Sequence, residues 1–211
     1  MKLERKIQLN IIEKLSEKIT LKLNSKLHKE GIELEKMKLG VDIILINLSK
    51  FAVIFAVAYY FDLLPQVVVM VIAFSSIRKS AFGLHARNSI VCTVVSLIMF
   101  VYGTYISYYL KFNNHEVFTM FIFINLLLYK YAPGDTEGHP LLGEKLRKKL
   151  KKEAVTAGVF LMVIALIIPS PVVKTIITLA ASSEVISLLP ISYKILNRRY
   201  KNYEEYERGI S

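Results

Sequence analysis

Six stretches of the chain are almost unbroken in apolar residues: 41–61, 64–77, 88–110, 117–131, 154–170 and 172–194. A helix rises about 1.5 Å per residue and the hydrocarbon core of a bilayer is about 30 Å thick. The first, third and sixth stretches are long enough to cross it. The second, which opens at Pro65, and the fourth are short, and fit either a locally thinned region or re-entrant elements shielded by protein. Ahead of them Ile7, Ile11, Leu15 and Ile19 recur every four residues among Lys and Glu. That spacing predicts an amphipathic helix, to Leu27 or beyond, lying on a membrane surface. The expected fold is all-α: a polytopic membrane protein of about six transmembrane or re-entrant helices plus the N-terminal surface helix. Its expected parts are an amphipathic segment 1–40, an integral membrane region 41–196 and a tail 197–211.

Charge orients this pattern. The chain is 54% hydrophobic yet carries a net charge of +11, and 25 of its 28 Lys and Arg fall in residues 1–40, 78–87, 130–153 and 194–211. Positively charged loops stay inside, so these four segments are expected at the cytoplasmic face of the cell membrane, with both termini. Tyr59, Tyr60, Tyr105, Tyr108 and Tyr109 cluster at the opposite boundary, where aromatic anchors sit. The basic residues are spread over all four segments rather than gathered in one patch, which points to anionic lipids as partners and away from nucleic acid. With ten Lys/Arg and six Glu, the first 40 residues are too polar for a cleavable signal peptide. Between 130 and 153, Pro133, Gly134, Gly138, Pro140 and Gly143 break regular structure before a basic helix start at Lys145–Lys152. Lys50 and Glu184 both fall about 13–15 Å deep by helical rise, where unpaired charges cost several kcal/mol, so they are expected to pair or to share a polar cavity.

The chemistry the chain can offer centres on Cys92, its one cysteine, and His85. A lone thiol forms no internal disulfide and two side chains make no cysteine-based zinc site. What remains is a nucleophile with a base nearby, or an apolar packing residue. Seven residues along a regular helix would leave the pair about 10.5 Å apart, whereas proton transfer needs contact near 3 Å. Gly83 permits a turn, and Asn88 or Ser89 can cap a helix that would hold Cys92 in its first turn, with His85 in the preceding loop. His28, His115 and His139 are scattered, and neither a phosphate-binding glycine loop nor a serine-nucleophile elbow is present, so no metal and no cofactor is expected. From the residues alone, a cysteine enzyme and a peptide transporter or membrane scaffold with a non-catalytic cysteine both stand.

The segment from Arg78 through Gly83 and His85 to Cys92, with the later Tyr131-Ala-Pro-Gly-Asp135-Thr-Glu, resembles the two signature regions of the accessory gene regulator B family, the membrane cysteine endopeptidases of Gram-positive peptide quorum sensing. Length, membrane pattern and the basic amphipathic N-terminus match as well. Two departures are Phe82, where members often carry a second glycine, and His139, where a lysine is expected. The resemblance implies cleavage of the C-terminal tail from a short amphipathic precursor peptide with an acidic tail. Cys92 would be the nucleophile and His85 the general base and acid, and the retained segment would close to a thiolactone through a thioester on Cys92. It further implies supporting roles for Arg78, which could steady the loop or bind carboxylates, and for Asp135, which could orient His85 or cap its own loop. Lys145–Lys152 would attract the acidic tail, although contact with lipid headgroups explains the same charges. The resemblance also implies a homodimer.

Overall fold

The computed structural model describes residues 2–84, 89–136 and 141–208, with side chains from Lys14 onward except at 89 and 90. The chain forms two compact units, Met1–Ala56 and Val57–Ser211. The first holds α1 (Lys2–Leu27) and most of α2 (Ile32–Tyr60). Asn24 closes the turn between them: its side-chain oxygen accepts the N–H of Lys29 at 2.7 Å and its amide donates to the Lys29 carbonyl at 3.0 Å. α1 ends where the four-residue apolar repeat predicts. Leu15, Leu23 and Leu27 are exposed along it, while Ser16 and Thr20 are buried. α2 begins about nine residues before its apolar stretch, because Glu33, Glu35, Lys36 and Lys38 are good helix formers that propagate the helix into polar sequence.

The second unit contains α3 (Leu64–Ala81), α4 (Ser89–Leu97), a π-helical turn (Ile98–Tyr102), α5 (Gly103–Leu110), α6 (Asn114–Tyr131), α7 (Glu144–Ile167), α8 (Pro171–Leu188), α9 (Pro190–Ile195) and α10 (Tyr203–Arg208). Pro65 occupies the first turn of α3, where a missing N–H costs nothing. Asn113 and Glu116 build a reciprocal capping box at the start of α6: the Asn113 side chain accepts from Glu116 N–H at 3.0 Å and Glu116 accepts from Asn113 N–H at 2.7 Å. The apolar stretch 172–194 is not one helix. Leu189 turns extended before Pro190, since proline excludes helical geometry from the residue ahead of it, and α8 stops at Leu188.

α8 lies at the centre, against α3, α5, α6 and α7. Ala180 and Ala181 are fully buried and let neighbouring helices approach closely. α6 and α7 pack along matching stripes, Val117, Phe121, Ile124 and Leu128 against Ala154, Gly158, Leu161 and Ala165. A Cβ on Gly158 would meet the Leu128 side chain at 2.8 Å, as well as Asn125. Four helical stretches, Ile32–Tyr60, Leu64–Ala81, Val91–Leu110 and Pro171–Leu188, are long and apolar enough to cross a membrane. The outward faces stay apolar, with Ile72, Val95, Phe123, Phe160 and Ile186 exposed, which in water would be an error and in lipid is the expected surface. The fold is an all-α polytopic membrane protein.

Candidate functional site

Arg78 lies in the last turn of α3, and its guanidinium is the hub of the region. One nitrogen donates to Glu184 Oε2 at 3.2 Å and to Ser187 Oγ at 2.9 Å, both on α8. The other donates to the backbone carbonyls of Gly83 at 3.1 Å and Leu84 at 2.9 Å. Its flat face lies near the ring of Phe74, 5.8 Å from the centroid. Glu184 is wholly buried, so Arg78 compensates a carboxylate that water does not reach. Breaking such a pair from one side costs about 3–5 kcal/mol. The sequence expects Glu184 to pair with Lys50 or to share a polar cavity with it; within the second unit its carboxylate is held by Arg78, and Lys50 belongs to the first unit.

The loop that Arg78 grips is fixed from a second side. Gly83 N–H donates to the Gly134 carbonyl at 3.1 Å and Gly134 N–H to the Ala81 carbonyl at 2.8 Å, a short parallel bridge between residues 81–83 and the loop after α6. A third anchor is Leu84 N–H to the Ser187 carbonyl at 3.3 Å. The two sequence motifs thus meet in space. Their glycines are there for contact as much as for flexibility. Gly83 has φ +95°, and a Cβ on it would lie 2.6 Å from Ser187 Oγ and 2.9 Å from the Arg78 guanidinium. A Cβ on Gly134 would lie 2.8 Å from the Tyr193 hydroxyl and 3.0 Å from Gly83 Cα. Phe82 sits at φ +57°, a conformation glycine adopts with less strain. The Ala132–Pro133 peptide between α6 and this bridge is cis.

Cys92 is the fourth residue of α4, in the first turn where the capping argument puts it, and is half-buried and reduced. His85, with Arg87 and Asn88, lies outside the described residues, as do His139 and Pro140. Asp135 is buried and serves the tail: Oδ2 accepts the backbone N–H of Tyr203 at 2.7 Å and Oδ1 the Asn202 amide at 3.4 Å, at the start of α10. Its carbonyl accepts from the buried Tyr193 hydroxyl at 2.9 Å. The tail also docks on α7. Glu207 takes the Arg147 fork at 2.6 and 3.3 Å and the Gly143 N–H at 3.1 Å, while the Arg147 guanidinium stacks on Tyr203 at 3.9 Å. These bonds hold the Glu207 carboxyl below the usual carboxylate range and raise Arg147 further; burial pushes the Tyr200 phenol up. Between the loop, the tail and the first turns of α7 lies a cavity of about 230 Å³ lined by Lys130, Arg147, Lys148, Lys151 and Lys201 together with Tyr131, Asp135 and Glu144. Among the described residues no cluster of His, Cys, Asp and Glu could hold a metal ion.

Ser187, Asn202 and Glu207 did not stand out in the sequence. The signal for Glu184 was there: once Pro190 ends α8 at Leu188, Glu184 moves from mid-helix to within about one turn of its end. That is the level at which Arg78 stands in α3.

The architecture defines an all-α polytopic membrane protein in which the loops after α3 and α6 are locked together, and in which a stretch long and apolar enough to span carries the one cysteine. Residues 12–188 match the family model for accessory gene regulator B. The chain belongs to that family, and so to accessory gene regulation and quorum sensing. It is 60% identical over 201 residues to an AgrB-like protein of Clostridium acetobutylicum, covering 95% of this chain and 96% of that one. Against an AgrB-like protein of Listeria innocua the identity is 44% over 172 residues, 82% and 84% of the two chains. The accessory gene regulator protein B of Staphylococcus haemolyticus is 29% identical over 178 residues, 84% and 93% of the two. No solved structure matches the chain.

Proposed function

We propose that this protein is a membrane-embedded cysteine endopeptidase that trims a pro-signal peptide and closes the retained part into a thiolactone. Cys92 Sγ attacks the scissile carbonyl, His85 accepts the thiol proton and returns one to the leaving amine, and the acidic tail departs. The signal segment then stands as a thioester on Cys92. A cysteine thiol within it displaces Cys92, which recovers its proton. Thioester exchange nearly conserves bond energy, so the enzyme's task is to exclude water and hold the incoming thiol close.

One observation carries this reading: the residues just ahead of His85 are anchored from three sides, by Arg78, Gly134 and Ser187, while Cys92 sits at the start of the next helix. The lysine-lined cavity beside the bridge supports docking of the acidic precursor tail, and the way Glu207 enters the Arg147 fork shows how this surface takes a carboxylate. The site faces the cytoplasm in this reading, and the functional unit is a homodimer.

The test is co-expression with a candidate precursor. Cys92→Ala and His85→Ala each abolish processing, by at least about 100-fold, with the protein still present in the membrane fraction. Normal processing by Cys92→Ala would overturn the enzyme reading. A hydroxylamine-sensitive adduct on Cys92, seen by mass spectrometry, is the expected intermediate.

A further inference from the structure

Glu184 is a wholly buried carboxylate on α8, far in sequence from both motifs, and its partner is the arginine that holds the loop before His85. The links form a chain of short contacts. Glu184 fixes one nitrogen of Arg78; Ser187, one turn along α8, shares that nitrogen at 2.9 Å; the opposite nitrogen holds the carbonyls of Gly83 and Leu84. A guanidinium is planar, so fixing one edge fixes the direction in which the other edge points. Ser187 adds a second tie through its own carbonyl, which accepts the Leu84 N–H. We infer that Glu184, assisted by Ser187, is a positioning residue for the proposed reaction, acting through the Arg78 guanidinium on the backbone of residues 83 and 84, which leads into His85. The inference rests on His85 being the general base of the proposed reaction.

A plain structural role and a positioning role separate in what they change. A buried pair that only holds α3 to α8 alters the amount of folded protein and its melting temperature. A pair that sets the backbone leading into the general base alters the rate at saturating substrate in molecules that are folded. Glu184→Gln keeps the size and one acceptor but loses the charge; Glu184→Asp keeps the charge and shortens the reach. Ser187→Ala removes one hydrogen bond from Arg78 and leaves the carboxylate in place.

Two readouts on the full-length protein in detergent or proteoliposomes decide the matter. In precursor cleavage, Glu184→Gln lowers kcat at least 10-fold with KM within about 2-fold, Glu184→Asp recovers part of the loss, and Ser187→Ala loses about 3–10-fold. In alkylation of Cys92 by iodoacetamide, which needs no precursor, Glu184→Gln slows the reaction in the same direction as His85→Ala. The double variant is no slower than His85→Ala alone, because the two act in series. Should Glu184→Gln fail to accumulate, Ser187→Ala carries the test in both assays. Parent-like kcat and alkylation in folded Glu184→Gln, or in Ser187→Ala where that stands in, overturns the inference, as does strict additivity with His85→Ala. If Cys92→Ala processes precursor, the enzyme reading fails first; if Cys92 and His85 are essential while the Glu184 and Ser187 variants are parent-like, the positioning role alone fails.

Discussion

Gly83 shows how tightly one residue is specified here. Its positive φ disfavours any side chain, and the space where a Cβ would stand is already held by Ser187 Oγ and the Arg78 guanidinium. Gly83→Ala therefore has two costs, backbone strain and a clash with the group that anchors the loop. It is expected to destabilise the protein by about 2–4 kcal/mol, read as a lower melting temperature in detergent, and to lose processing in the fraction that folds. A parent-like melting temperature would mean that Ser187 and Arg78 move aside cheaply. Sequence alone shows that Gly83 permits a turn, but the reason it is needed is a contact with α8, about 100 residues further on. Cys92 was legible for the opposite reason: its place in a first turn follows from Asn88 or Ser89 as a cap and the apolar run after them, both local.

At the scale of elements, the helices were largely readable because period and polarity decide them, and the misses have local causes. Pro190 splits the last apolar stretch into α8 and α9, and the run from Lys145 continues into α7 without a break. Asp135 is the instructive case. From sequence its options were His85 or its own loop, whereas both oxygens turn to the C-terminal segment, which hydrophobic patterning leaves blank. That segment is a docked strap, and its outer clasp is Glu207 on Arg147 and Gly143. Glu207 is held below its ordinary value, so its contribution is complete above pH of about 4.3 and fades as pH falls through the lower value of the docked state. Cleavage of the strap by a protease active in acid is expected to stay flat from neutral pH down to the ordinary carboxylate range and to rise below it. In Glu207→Gln the cleavage is already high at neutral pH and no longer depends on pH across that range.

For the whole molecule, the six apolar stretches anticipate the helices, and the basic segments around them predict which face each loop occupies. In a Cys92→Ala background, a cysteine placed at Lys111 is expected to react with a membrane-impermeant maleimide in intact cells, and one at Lys148 only after lysis. Labelling of Lys148→Cys from outside would invert the assignment and put the lysine-lined cavity on the other face. What patterning could not supply is the packing that brings α3, the loop after α6 and the end of α8 to one point, since those contacts join residues that share no local signal.

The bridge between Gly83 and Gly134, and the grip of Arg78 on Glu184, also set a clock. Cys92 is made early, and the groups that fix its neighbouring loop follow about 40 and about 90 residues later. At about 5–20 residues per second, a ribosome carries the nascent chain for about 5–20 s with the thiol already synthesised and the loop still unanchored. Every anchor of that loop lies C-terminal to the nucleophile candidate except Arg78 itself. A chain stopped before Glu184 would carry both motifs and lack the two anchors that α8 supplies, Glu184 and Ser187.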